Sequence, residues 1–333
     1  MKELFELQRL LKNVPRSQKQ VNTLFESDCE ILKLSSGYLA LSTDSISEEI
    51  SQGLYQDPFT WGWLTIMASV SDLAASGSRP LGLLLSTEWK FKTPPNVKTK
   101  FYKGVRAALK KAQMQLLGGD SGSSAEYFFN ATVLGESKLK PLMRRSVKPG
   151  DYVCILGRKK LGAGPAFALR FLLELKKADF REDLYRPEPN PKLLSSLRPF
   201  LRASIDTSDG LANSLNIISE LNHIGFKLNY LPELMHPKAL EFCRIQNLHP
   251  LQLWMGDLGD YQTLVFIAPE SLRGAQRKCA ELLVIGRAVK DENQCSVSFE
   301  GREIQLPLYI LKEIGRDLNS LRRAHRKMCK YFA

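Results

Sequence analysis

Aspartates set beside glycine or small hydroxyl residues recur along this chain, in Ser42-Thr43-Asp44-Ser45, in Gly118-Gly119-Asp120-Ser121 and in Ser204-Ile205-Asp206-Thr207-Ser208-Asp209-Gly210. Asp28, in Glu26-Ser27-Asp28-Cys29, and Asp72, in Ser71-Asp72-Leu73, belong with them. Carboxylates are the hard oxygen donors that Mg²⁺ prefers, and Mg²⁺ commonly bridges a few of them to substrate phosphates. Gly118 and Gly119 would let backbone come close to a phosphate, with N–H groups able to line an anion site. Asp72 sits in an apolar helical pattern, where an unpaired carboxylate is costly to bury, so it demands a partner. Singly, each acid has a plain structural explanation: Asp206 as a strand-end residue, Asp209 as an acid favoured by a helix N-terminus, and the 118–124 stretch as ordinary turn formers. Only the ordered set makes a nucleotide-phosphate and Mg²⁺ site the better reading, with Asp28, Asp44, Asp72, Asp120, Asp206 and Asp209 as candidate metal ligands.

Other chemistries lack their residues. The four histidines, His223, His236, His249 and His325, form no metal-ligand spacing, and neither a GxSxG elbow nor a Walker GxxxxGK[ST] loop occurs. The six cysteines are scattered with no CxxC pair, as expected of reduced thiols. Aromatic residues are not interleaved with basic ones as stacking platforms for nucleic acid would require.

The elements that must position these acids follow from periodicity and turn chemistry. Two apolar runs, 30–34 and 38–44, flank Ser35-Ser36-Gly37 and predict a hairpin whose second strand ends at Asp44. Residues 60–76 show helical spacing stopped by Gly77, a buried strand follows at 81–89, and a second helix covers about 96–115. Residues 118–122 read as a turn before a strand at 127–136. After Pro149-Gly150 the pattern restarts with a strand at 151–157, a glycine-rich turn and a helix at 166–177, then the connector Arg186-Pro187-Glu188-Pro189-Asn190-Pro191. Ala203–Asp206 is a short strand, with Ser208 expected to cap a helix from Asp209 to about Asn222. Strands are also expected at 261–268, 281–289 and 295–301.

At 333 residues the chain exceeds one comfortable core. The expectation is a mixed α/β (α+β) fold in two domains, 1–146 and 147–333. With 44% hydrophobic and 25% charged residues it has the composition of a globular protein, which excludes disordered and fibrous classes. No apolar run approaches the roughly 20 residues that span a bilayer, and the amphipathic start has no small-residue cleavage site, so no membrane partner and a cytoplasmic address are expected. The net charge of +12 is spread along the chain, so nucleotide phosphates suffice as polyanionic partners and nucleic acid is not expected. The densest basic stretch, Arg322, Arg323, Arg326, Lys327 and Lys330, reads first as a solvated helix face.

Taken in order, Ser27-Asp28-Cys29, Ser42–Ser45, Ser69–Pro80, Gly118–Ser124, Lys148–Val153, Arg186–Pro191, Ser204–Leu215 and Gly259–Phe266 resemble thiamine-monophosphate kinases. More widely they resemble the superfamily containing aminoimidazole-ribonucleotide synthetase, whose two α/β domains form an ATP cleft. The resemblance runs from about residue 4 to 290. It implies transfer of the ATP γ-phosphoryl onto thiamine monophosphate to give thiamine diphosphate, with ATP and Mg²⁺ required, and a homodimer formed through the N-terminal domains. Residue by residue it assigns Asp28, Asp44, Asp72, Asp120 and Asp209 to Mg²⁺ and phosphates with Asp206 as companion, and gives Asp120 and Asp209 catalytic roles. It places Thr43, Gly118, Gly119, Ser121 and Arg145 at the nucleotide. Two segments depart from the family pattern: Glu26-Ser27-Asp28 replaces Gly-Asp-Asp, and Asp257-Leu258-Gly259-Asp260-Tyr261-Gln262 replaces GGEDYE. The alternatives are a related ATP-dependent enzyme that phosphorylates an amide or carboxyl oxygen, and a non-catalytic nucleotide- or nucleic-acid-binding paralogue using its basic end.

Overall fold

The computed structural model describes residues 9–156, 160–175, 180–256, 258–306 and 318–332. The first eight residues of the amphipathic start, Gly157 of the glycine-rich turn, the end of the helix read at 166–177 and Asp257 lie outside these.

Strands β1 (Glu30–Leu34), β2 (Gly37–Ser45), β3 (Arg79–Lys90), β4 (Leu116–Ser124) and β5 (Phe128–Ser137) form one sheet in the order β1-β2-β5-β3-β4. The β1–β2 hairpin closes with Leu34 opposite Gly37, as the turn residues predict. Helices α1 (Ser47–Ser51), α2 (Pro58–Ser76) and α3 (Pro95–Ala112) accompany this sheet, and α3 makes the crossover that lets β4 run parallel to β3. Residues 118–122 are therefore an edge strand and not the turn read from their composition. Pairing with β3 from Leu84 opposite Gly118 to Lys90 opposite Ser124 satisfies backbone groups that a turn would leave to solvent.

The second sheet takes β6 (Tyr152–Leu156), β7 (Ala203–Asp206), β8 (Gly225–Asn229), β9 (Thr263–Ile267), β10 (Leu282–Val289), β11 (Cys295–Phe299) and β12 (Arg302–Gln305) in the order β12-β11-β8-β10-β6-β9-β7. Its helices are α4 (Ala163–Leu172), α5 (Pro191–Leu197), α6 (Gly210–Asn222), α7 (Pro237–Gln246), α8 (Pro250–Met255), α9 (Leu272–Lys278) and α10 (Leu318–Phe332).

Helix α2 joins the two halves. Its start is set by Pro58 at the first position and by the Asp57 carboxylate, which accepts from Phe59 N–H at 2.9 Å, and Gly77 ends it with φ 66°. It packs on β2 and β5 of one sheet and on β7 and β9 of the other, so it is buried all round, as its nearly uninterrupted apolar sequence requires. Against α3 it is held at backbone contact: a Cβ at Gly62 would lie 2.1 Å from Phe101 O, and one at Gly104 2.0 Å from Phe59 O. Either glycine replaced by alanine would push the helices apart.

Among the described residues, none covers the face of the five-stranded sheet away from α2 and α3. Leu84, Leu117 and Phe128 are 44%, 54% and 44% exposed. No helix among the described residues is long and apolar enough to cross a membrane.

Candidate functional site

Alternate residues of a strand share a face, so β2 turns Ser42 and Asp44 together towards α2. There the Ser42 hydroxyl donates to Asp72 Oδ2 at 2.5 Å, supplying the partner that Asp72 demands within its apolar helix. Consecutive helical residues point about 100° apart, so the neighbouring Ser71 reaches the other sheet and donates to Asp206 at the end of β7. The second Asp206 oxygen accepts from Ser208 Oγ at 2.9 Å. Asp28, on the segment entering β1, lies against the end of β7; its Oδ1 accepts the Asp206 N–H at 3.4 Å and a guanidinium N–H of Arg144 at 2.8 Å. Three distant stretches of sequence thus place one carboxylate oxygen each, from Asp28, Asp72 and Asp206, within 4.8 Å of one another.

Two members of the cluster, Asp28 and Asp72, line the floor of a cavity of about 630 Å³ together with Asp44, Asp209 and Arg144, while Asp206 is held outside its lining, next to Ser208. Asp209 sits at the N-terminus of α6, its carboxylate accepting from Asn213 Nδ2 at 3.2 Å. The electrostatics are those of acids crowded out of water. Burial pushes the Asp44 carboxyl up to about 6, against a hydrogen bond with Asp72 and with help from the Asp209 and Asp28 charges. Burial likewise takes Asp206 to about 7, with Asp28 adding to the shift and Ser71 and Arg144 opposing it. Asp72 is held well above the ordinary carboxylate range by burial and then by Asp44, Asp206 and Asp28. Close carboxylates resist ionising together, and a cation among them removes the conflict.

The structure brings together Asp28, Asp44, Asp72, Asp206 and Asp209. It does not bring Asp120 to them. Thr87 and Ser121 share a face, their hydroxyls 3.1 Å apart, and Thr87 is buried towards the helices, so Asp120 faces the uncovered side. Thr43 faces that side too, bonded to Asn130 and Thr132 at 2.9 Å. Gly118, Gly119 and Ser121 lie on the edge strand, outside the lining of the cavity. Gly119 has a packing reason to be glycine, since a Cβ there would lie 1.8 Å from Leu85 O.

Arg145 points outward, to Glu26 at 2.8 Å and Leu221 O at 3.3 Å, and Arg144 is the arginine that faces the acids. Glu26, engaged by Arg145 and by Thr23 N–H, stays off the cavity wall. Ser208 is no helix cap: Asp209 occupies the cap position, its carboxylate accepting from Asn213 one turn on, and the Ser208 hydroxyl is turned to Asp206. In the departing segment, Asp260 accepts Gly162 N–H at 2.5 Å and Gly164 N–H at 2.6 Å, tying the loop to the start of α4. The next residue, Tyr261, lines the cavity with φ 52°, a costly conformation for a bulky side chain.

Sequence reading missed Arg144, Ser42 and Ser71. Ser42 was within reach of strand alternation, two residues before Asp44. The Arg144-Arg145 pair carries no local signal for which member turns inward.

Residues 26–137 match the family described as AIR synthase related protein, N-terminal domain. The thiamine-monophosphate kinase of Methanospirillum hungatei is 27% identical over 290 residues, covering 85% of this chain and 92% of that protein. Among solved structures, AaThiL complexed with AMPPCP and TMP superposes with a TM-score of 0.74 at 24% identity, covering 92% of this chain and 96% of that one, a likeness of fold. The thiamine-monophosphate kinase of Bacillus subtilis is 30% identical over 259 residues, 72% of this chain and 75% of that protein, and with the aspartate-bearing segments gathered as described the chain belongs to the thiamine-monophosphate kinase family.

Proposed function

We propose that this chain is an ATP-dependent kinase that transfers the γ-phosphoryl of ATP to the phosphate of thiamine monophosphate, giving thiamine diphosphate and ADP. The observation that carries the reading is the Asp28–Asp72–Asp206 cluster, of which Asp28 and Asp72 line a cavity large enough for a nucleotide and a small acceptor. Membership of the family and the ligands of the solved relative support the choice of substrates.

The donor set suits Mg²⁺: carboxylates only, from several chain segments, with open space on one side. Asp28, Asp44, Asp72, Asp206 and Asp209 are the residues that would hold it, and bound there it would neutralise phosphate charge as the phosphoryl group moves. The chain's own work is orientation. Ser42 fixes Asp72, Ser71 and Ser208 fix both oxygens of Asp206, and Arg144 fixes Asp28 while adding a positive charge facing incoming phosphates. In the transfer, an acceptor phosphate oxygen forms the new bond to the γ-phosphorus as the bridging bond to the β-phosphate breaks, the electron pair leaving with ADP. The acceptor phosphate has a second pKa of about 6, so it is already anionic near neutral pH and no strong general base is needed. Asp209 acts by placement at the cavity rim.

A second copy seated on the uncovered face of the five-stranded sheet belongs to the same reading, since Leu84, Leu117 and Phe128 on it are exposed. Thr43, Gly118 and Asp120 would then lie at the interface, with Gly119 and Ser121 on the strand that borders it. Asp120 contributes there to nucleotide affinity rather than to the transfer step. The two halves, 1–146 and 147–333, act as domains whose shared boundary is the cavity.

The test is incubation of the purified chain with ATP, Mg²⁺ and thiamine monophosphate, with thiamine diphosphate and ADP quantified. Stoichiometric formation of both, abolished by a chelator, is expected. A folded chain that forms no diphosphate rejects the acceptor, and ADP release with a different phosphate or carboxyl compound would point to the related enzymes instead.

A further inference from the structure

The cavity is far more acidic than metal binding alone explains. Among the described residues, seven of its lining side chains are Asp or Glu, against one cation, Arg144, which Asp28 already engages. Four of the seven form the aspartate group described above. Glu49, on α1, stands apart from them: it lines the cavity with Asp44, Asp209 and Tyr261. Its Oε2 is buried with no hydrogen-bond partner among the described residues. Burial, then the charges of Glu48, Asp44 and Asp209, raise its pKa.

An unpaired carboxylate oxygen in such a place is a standing cost unless a ligand supplies the missing positive charge. The same cavity has apolar lining as well, from Leu54, Ala168, Phe171, Leu172 and Leu258. Mg²⁺ keeps a hydration shell and seeks several oxygen donors, so it fits the aspartate floor better than this wall. A flat ring that carries a positive charge fits the wall, its faces on the apolar side chains and its charge against the carboxylate.

We infer that Glu49 selects a positively charged heteroaromatic ring on the phosphate acceptor. The inference rests on the phosphotransfer reading above and sharpens it: the thiazolium of thiamine monophosphate is such a ring, while an acceptor with a neutral ring would leave Glu49 unpaired. Glu49 touches the ring and no reacting atom, so it is a specificity-determining residue.

The experiment compares thiamine monophosphate with its neutral isostere, the phosphate ester in which the charged ring nitrogen is replaced by carbon, in the wild-type chain and in Glu49→Gln and Glu49→Asp. Both kcat/KM with Mg²⁺ and ATP and calorimetric Kd with ADP are read. The wild type should favour the charged acceptor by about thirtyfold or more, as expected for one desolvated charge pair. Glu49→Gln should shrink that preference to about threefold while the KM for ATP stays within about twofold, and Glu49→Asp, which keeps the charge, should retain most of it. If the wild type makes thiamine diphosphate but Glu49→Gln keeps the full preference, the inference is overturned and the kinase reading stands. If the folded wild type uses neither acceptor, the kinase reading fails and takes the inference with it. An unchanged KM for ATP shows that the variant folds, so a misfolded protein cannot pass for a positive result.

Discussion

Two stretches of this chain, Ser204–Gly210 and Gly118–Ser124, offer the same ingredients, an aspartate among glycines and hydroxyl residues. The fold treats them oppositely. The first ends β7, a strand packed against the buried helix α2, and its Asp206 is 3% exposed with both carboxylate oxygens bonded. The second forms the edge strand β4, and its Asp120 is exposed on the uncovered face. Across the sheet, β4 is separated from β2 by β5 and β3, three inter-strand steps or about 14 Å at the usual spacing. What gathers acids into a site is the position of their strands relative to α2, and local sequence does not encode that position.

The comparison predicts a hierarchy of effects. The deepest loss belongs to Asp72→Asn, which removes the only acid of the cluster that α2 itself carries: kcat/KM should fall on the order of 10³-fold, the scale of losing one fixed electrostatic contact to a transition state. Because the Asp72 carboxyl is disfavoured by burial and by its neighbours, the variant's Tm in a chelator at pH 8 should be no lower than the parent's. A mild kinetic effect would place the transfer chemistry away from the acids gathered at α2. Next comes Arg144→Ala. The Arg144–Asp28 pair has side chains 15% and 2% exposed, and removing one partner of a buried pair costs about 3–5 kcal/mol. Urea denaturation should show a drop of that size, whereas Arg145→Ala, at a half-exposed pair with Glu26, should cost no more than about 1 kcal/mol.

The pH dependence is the third effect. Asp44 and Asp206 have folded-state values of about 6 and about 7, above the ordinary 3.8, with burial as the leading cause. The folded chain therefore holds protons that the unfolded chain releases. Their contribution to stability is full below the ordinary carboxylate value and is lost as pH rises through 6 to 7. In a chelator, Tm should fall from pH 5 to pH 8. Mg²⁺ competes with those protons, so the rise in Tm on adding it should grow across the same interval. A rise independent of pH would place the cation away from these carboxylates.

Much of the fold was legible in the sequence because it rests on local chemistry. The Ser35-Ser36-Gly37 turn set the first hairpin, and Gly77 ended α2 at the predicted residue. The carboxylates of the cluster were legible as candidates, and Asp72 carried its own warning, since its apolar helix required a partner that proved to be Ser42. Three things were not legible, each for a non-local reason. The parallel pairing of β4 with β3 depends on the α3 crossover, so a glycine-rich segment that composes like a turn becomes a strand. The choice of Arg144 over Arg145 depends on which of two adjacent side chains meets Asp28 from across the fold. Ser208 serves Asp206 instead of capping α6 because a buried carboxylate competes for the same hydroxyl and wins.

The weaker side of the comparison yields the smallest and most discriminating prediction. Asp120→Asn changes an exposed group on the far face of the five-stranded sheet, so, with a second copy seated on that face, it should cost about tenfold or less, carried by the KM for ATP rather than by kcat. The measurement is steady-state kinetics with ATP varied, read alongside the mass in solution by light scattering. A loss as deep as that of Asp72→Asn cannot arise within one chain, because Asp120 neither lines the cavity nor shares a face with Asp44. It would require the uncovered face to be closed by a second copy that carries its own Asp120 towards the first copy's nucleotide. In that case substitutions on the same face, such as Leu84→Asp and Leu117→Asp, must lower the mass to that of one chain and reproduce the kinetic defect with Asp120 intact. Retention of kcat in those variants, with a mass of one chain, would leave the buried cluster as the sole seat of the transfer chemistry and confine Asp120 to nucleotide affinity.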